Sequence, residues 1–140
     1  METLLLDIEP HGGLPIYRQL MNQIRRQIMT GQLDAGEQLE SVKSLSTRLK
    51  VNPMTISKAY GFLVEEGLVE RRRGVGLFVS PVRPESRRRQ QKKMLDEVLG
   101  DAASLAMQLG IPDDEASRLF SERLRRLRSS AKGRKNDGRP

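Results

Sequence analysis

Residues 41–60 read Ser41-Val42-Lys43-Ser44-Leu45-Ser46-Thr47-Arg48-Leu49-Lys50-Val51-Asn52-Pro53-Met54-Thr55-Ile56-Ser57-Lys58-Ala59-Tyr60. Their reading decides the fold. Ser41 is a residue type whose hydroxyl accepts from the first free amides of a helix, and Leu45 and Leu49 lie four apart on one helical face. A short helix is therefore predicted from Ser41 to about Lys50. Val51-Asn52-Pro53 interrupts it. Asn52 is a second cap residue and Pro53 suits the first helical turn, so another helix starts sharply there. Ile56, Ala59, Tyr60, Leu63 and Val64 give that helix its apolar stripe, and Gly67 ends it. Two short helices about three residues apart, the second opened by its own cap, form a helix-turn-helix arrangement.

Upstream, Pro15 opens a first helix with Ile16, Leu20, Ile24 and Ile28 at i, i+4 spacing, stopped by Gly31. Residues 1–14, with Pro10, Gly12 and Gly13, read as an extended arm and a turn. Downstream, Leu68–Arg72 and Leu77–Ser80 are strand-like and joined through Arg73-Gly74-Val75-Gly76. That is a basic hairpin with glycines at its tip, a wing. The predicted fold is mainly α with a small β-hairpin wing: a winged helix-turn-helix over 15–82, followed by two C-terminal helices. Pro81 and Pro84 mark the boundary. Residues 83–128 form the helical region, broken at Gly110-Ile111-Pro112, and 129–140 read as a disordered basic tail.

Composition removes whole classes. The chain has 140 residues, about one domain. It has no Cys, hence no thiolate chemistry and no disulfide framework, and this fits a reducing, cytoplasmic setting. Its one histidine, His11, cannot build a multi-histidine metal site, and no nucleophile–base pair is in view, so an enzyme is not expected and no cofactor is implied. The longest apolar-looking uncharged run, Ala102 to Ile111, is about half of the ~20 residues that a membrane span needs. Glu2 and Asp7 flank Leu4-Leu5-Leu6 without a basic region, unlike a secretory signal. The net charge of +7 and pI near 10.2 point to a polyanionic partner. Residues 1–82 hold 10 basic and 9 acidic side chains, and residues 83–140 hold 15 and 9, so the excess lies in the C-terminal part.

Several pieces then line up: Pro15-Ile16-Tyr17 with Gln19, the Ile28…Gly31-Gln32-Leu33 turn, Gly36-Glu37-Gln38-Leu39 and Ser41-Val42-Lys43-Ser44-Leu45. They continue through Val51-Asn52-Pro53-Met54-Thr55-Ile56-Ser57-Lys58-Ala59-Tyr60, Glu66-Gly67-Leu68-Val69 and Arg72-Arg73-Gly74-Val75-Gly76-Leu77-Phe78-Val79. In order and spacing this stretch resembles the DNA-binding domain of the GntR family of bacterial transcription regulators. The 58 residues after Val82 are too few for the large C-terminal domain usual in that family. Two short helices there resemble the YtrA subfamily, whose C-terminal helices dimerise the protein. The resemblance implies a homodimeric repressor, often of its own operon and of linked ABC-transporter genes, on an inverted-repeat operator in double-stranded DNA. Two positions depart from the family pattern: Glu40 stands for a usual Pro, and Lys43 for a usual Arg. Glu40 is expected to bring a carboxylate near DNA, and Lys43 to favour phosphate contact over guanine readout.

The candidate DNA-binding residues are Ser41 and Lys43 at the head of the second helix, and Asn52, Met54, Thr55, Ser57 and Lys58 at the head of the third. In a recognition helix the N-terminal side chains reach base edges. Asn52 serves equally as a cap, and Met54 equally as a core residue. Arg72, Arg73 and Gly74 at the wing tip suit a backbone or a narrow minor groove, while strand alternation turns Arg71 away. The candidate dimerisation stripe is Leu95, Val98, Leu99, Ala102, Leu105, Ala106 and Leu109 on the fourth helix, with Leu119, Phe120, Leu124 and Leu127 on the fifth. Asp113-Asp114-Glu115 suit a helix start rather than a cation. Activation in place of repression, and nonspecific nucleoid or RNA binding through the basic C-terminal part, stay open alternatives, and so does any small-molecule effector.

Overall fold

The computed structural model describes residues 4–137, which divide between Gln91 and Lys92 into two compact units. The first contains α1 (Ile16–Met29), α2 (Val42–Leu49), α3 (Pro53–Glu65), β1 (Val69–Arg72), β2 (Gly76–Val79) and the beginning of α4 (Pro84–Gln108). The second holds the rest of α4 and α5 (Asp113–Asp137).

The starts and stops of α2 and α3 have bonded causes. The Ser41 hydroxyl accepts from the Ser44 amide at 3.1 Å, and the Asn52 carboxamide oxygen from the Met54 amide at 2.8 Å, so both caps form. α2 ends with Lys50 in the left-handed region at φ 56° and the Val51 amide bonded back to the Ser46 carbonyl. This is a Schellman-type end built on lysine where glycine is the usual choice, at a cost of roughly 1–2 kcal/mol. α3 ends the same way at Gly67, φ 77°, with the Leu68 amide on the Leu63 carbonyl.

The core of the first unit is where the stripes meet. Leu20, Ile24 and Ile28 of α1, Leu45 of α2, and Ile56, Ala59 and Leu63 of α3 are all buried. Each such side chain contributes about 1.5–3 kcal/mol relative to exposure. β1 and β2 pair antiparallel, Val69 opposite Val79 and Arg72 opposite Gly76. Residues 36–39 run beside β2, with the Leu39 amide on the Leu77 carbonyl and the Val79 amide on the Glu37 carbonyl. The start of α4 docks on the end of α1: Arg87 donates to the Ile28 carbonyl at 2.9 Å and Gln91 to the Met29 carbonyl at 2.9 Å. An amide thus satisfies the Met29 carbonyl, and a cation shares the Ile28 carbonyl with the Gly31 amide.

Two expectations need correction. Residues 129–137 are not a disordered tail; α5 continues through them to Asp137. Ser129, Ser130, Ala131 and Lys132 include no helix breaker, and α5 runs on through Gly133, which costs about 1 kcal/mol relative to alanine. Residues 138–140, and residues 1–3 of the arm, lie outside the described residues. Glu40, expected to face DNA, is instead 3% exposed. Its carboxylate accepts from Arg48 Nε at 3.1 Å and Nη2 at 2.7 Å, from Ser44 Oγ at 2.9 Å and from the Leu4 amide at 3.4 Å. The fork to Arg48 holds the Glu40 carboxyl below the usual carboxylate range, against the opposing effect of burial. The charge that stands just before the α2 cap has been turned inward because a partner, Arg48, lies eight residues on.

Glu40→Gln is expected to lower the unfolding free energy at neutral pH by about 1–3 kcal/mol, since Arg48 keeps partial access to water. The folded-state carboxyl titrates below its unfolded value of about 4.3, so its contribution is complete above that value. It is lost as pH falls through the folded pKa. Urea midpoints of wild type and variant should therefore draw together as pH is taken well below about 4.3. A gap that persists there undiminished would contradict the role assigned to Glu40.

Candidate nucleic-acid interface

The first turns of α2 and α3 contain no acidic residue, whereas α5 opens on Asp113, Asp114 and Glu115. Glu40, which precedes the α2 cap, is paired inward with Arg48, so both helix heads favour phosphate. All ten candidate residues lie on the first unit. Ser41 and Lys43 are exposed at the head of α2, and Asn52, Met54, Ser57 and Lys58 are exposed along the first turns of α3. Thr55 is half-buried. Met54 is 79% exposed, which excludes the core reading and leaves a large apolar side chain in water beside a helix N-terminus.

Four candidates are already engaged, among them Ser41, whose hydroxyl caps α2. The Asn52 side chain is spent on its cap. The Lys58 ammonium lies 4.0 Å from the centroid of Tyr17, whose ring stacks on Phe62 at 5.8 Å. Such a contact is worth about 0.5–1 kcal/mol at an exposed site, little enough for a phosphate to compete with it. Arg72 sits 4.1 Å from the Phe78 ring and 3.2 Å from Glu70, on the side of the hairpin that alternation gives to both. Arg73 and Gly74 are exposed at the tip, and Arg73 has no hydrogen bond or ion pair among the described residues.

The tip is shaped from outside the hairpin. Gln38 donates to the Val75 carbonyl at 3.0 Å. A Cβ on Gly76, at φ 142°, would come within 2.7 Å of the Gln38 amide nitrogen, so only glycine lets the two approach. The sequence reading missed Gln38, which acts through a strand pairing with no local signature. It also missed Lys50, an exposed cation in the turn between α2 and α3. Among the described residues no group of three His, Asp or Glu side chains is close enough to hold a metal ion.

The eleven candidate dimerisation residues are uncovered to different degrees. Val98 and Leu109 are each 64% exposed, Leu127 60%, and Leu95, Leu105, Leu119 and Phe120 between 45% and 56%. Ala102 is exposed, and Leu99, Ala106 and Leu124 are half-buried. No described residue after Val79 is fully buried. Among the described residues no helix is long and apolar enough to cross a membrane.

Comparison with known proteins agrees with this geometry. Residues 16–79 match the family described as bacterial regulatory proteins, gntR family. The chain is 38% identical over 76 residues to the HTH-type transcriptional repressor YtrA of Bacillus subtilis (strain 168), covering 54% of this chain and 58% of YtrA. It is 32% identical over 110 residues to the HTH-type transcriptional regulator YhcF of the same strain, covering 79% of this chain and 90% of YhcF. Among solved structures, a GntR family transcriptional regulator from Listeria monocytogenes superposes with a TM-score of 0.69 at 31% identity, over 79% of this chain and 96% of that one. The chain belongs to the GntR family of bacterial regulatory proteins, and within it is similar to YtrA.

Proposed function

We propose that the chain is a cytoplasmic, sequence-specific transcriptional repressor that binds an inverted-repeat operator in double-stranded DNA as a homodimer. The observation that carries this reading is the pair of helix N-termini with no acidic residue in their first turns, with the uncharged side chains Met54, Thr55 and Ser57 on the second of them and a basic hairpin tip in the same unit. Uncharged groups at the head of α3 suit base edges, a thymine methyl for Met54, while Lys43, Lys50 and Arg73 suit phosphates. Repression, rather than activation, is supported by the name of the similar YtrA. The subfamily resemblance adds the reading that its targets are its own operon and linked ABC-transporter genes.

The dimer is supported by the second unit, which buries no described residue fully and leaves Leu119, Phe120 and Leu127 about half exposed or more. Apolar stripes on two 25-residue helices need a partner surface. A second copy supplies one with twofold symmetry, and twofold symmetry in turn implies two half-sites one helical turn, or a multiple, apart.

Two measurements test this reading. On an operator selected from bound genomic fragments, Arg73→Ala should weaken operator and scrambled DNA alike, with a salt slope shallower by about 0.9 per lost phosphate contact. Met54→Ala should leave the slope unchanged and cost about 1–3 kcal/mol on the operator alone. Reversed behaviour would exchange the two roles. By light scattering the full chain should be a dimer and the 1–91 fragment, which retains the Arg87 and Gln91 contacts, a monomer. A dimeric 1–91 fragment would move the interface off α4 and α5.

A further inference from the structure

The N-terminal arm lies along α1 in a repeating pattern that the function above does not use. Gln19, Gln23 and Gln27 recur every four residues on one face of α1. The Glu9 amide donates to Gln19 Oε1 at 2.8 Å, and Gln19 Nε2 donates to the Glu9 carbonyl at 2.9 Å. The Asp7 amide and carbonyl make the same reciprocal pair with Gln23 at 2.8 and 2.6 Å. Gln27 Nε2 donates to the Leu5 carbonyl at 2.7 Å. Four residues of helix rise about 6 Å, and two residues of extended chain about 6.6 Å. The two repeats match, so alternate arm residues meet successive glutamines. Only main-chain groups of the arm are held.

The arm ends in the core. Leu4 is 2% exposed, its amide donates to Glu40 Oε2, and its carbonyl accepts from Arg48 Nη2 at 2.5 Å. Helices α1 and α2 each pack on α3 but scarcely touch one another. The arm is thus a direct bonded link from α1 to Glu40 and to Arg48 of α2.

We infer that residues 4–9 are a strap, zipped onto α1 by the three glutamines, that holds α2 and with it Ser41 and Lys43 in position for DNA. The consequence for DNA rests on the function proposed above; the mechanical claim does not. The glutamine bonds are exposed, where water competes with each of them, so the strap opens more easily than the helices it lies on. Opening it takes Leu4 and two hydrogen bonds from the Glu40–Arg48 pair, and α2 then rests on α3 alone.

The test compares the full-length triple variant Gln19→Ala, Gln23→Ala, Gln27→Ala with Arg25→Ala. The latter breaks the α1–α3 ion pair to Glu66 (2.6 Å) and controls for general destabilisation. Hydrogen exchange in the triple variant should accelerate about tenfold or more at the α2 amides, with α3 unchanged. Arg25→Ala should show no such selectivity. On a mixed-sequence DNA duplex the triple variant should bind more weakly, with a salt slope lower by about 0.9. Adding Lys43→Ala should then have little further effect, because the contact is already lost. Uniform acceleration, or none at α2, overturns the strap. Faster α2 exchange with unchanged duplex affinity overturns its role in positioning. Should the wild type fail to bind the duplex at all, the proposed function falls, and the exchange pattern alone decides the strap.

Discussion

The carboxylate of Glu40 is buried in the first unit, and four groups converge on that residue. Arg48 of α2 forks onto it, the Ser44 hydroxyl and the Leu4 amide donate to it, and Tyr60 of α3 donates to its main-chain carbonyl at 2.7 Å. Tyr60 is itself 2% exposed, and its burial raises the hydroxyl's pKa, so it remains a neutral donor. A buried carboxylate without such partners would cost several kcal/mol. Satisfying it therefore ties the placement of the arm, α2 and α3 to one another. The neighbouring residue, Ser41, caps α2, so the helix that carries Lys43 begins directly at this anchor.

The two helix heads and the hairpin are prepared by different means. α3 is placed by apolar burial on one side, through Ile56, Ala59 and Leu63, which leaves its opposite side free for Met54, Ser57 and Lys58. The hairpin is placed by strand pairing with residues 36–39, and its tip is steered by Gln38. Uncharged side chains such as Met54 and Ser57 on α3, and cations such as Lys43, Lys50 and Arg73 on α2, a turn and a hairpin tip, are the division expected when base reading and phosphate holding are separate tasks. The second unit follows the opposite logic. Its helices have well-made ends, with the Ile111 amide bonded to the Ala106 carbonyl at the close of α4, yet no described side chain in it is fully buried.

Much of this was legible in the sequence. The caps Ser41 and Asn52, the stop at Gly67 and the glycine-tipped hairpin are local chemistry: each needs only a few neighbouring residues, and each formed as read. The apolar stripes of α1 and α3 could be read from their period alone. Three features could not. Glu40 looked like a surface charge because its partners include Leu4, 36 positions away, and Tyr60, 20 positions away. Lys50 was invisible because a left-handed residue that is not glycine carries no signature. The end of α5 was misplaced because low apolar content was taken for disorder, although nothing in Ser129–Lys132 breaks a helix.

The sequence by itself determined the elements and their order, since helix ends, strand alternation and turn chemistry act over distances of a few residues. Tertiary structure alone decided where side chains without a local partner point. It turned Glu40 inward, drew Lys58 over Tyr17 and Arg72 over Phe78, left Met54 in water, and laid the arm on the three glutamines of α1. The physical reason is that a polar group goes where its hydrogen bonds are satisfied. Those partners come from segments that only the folded chain brings together.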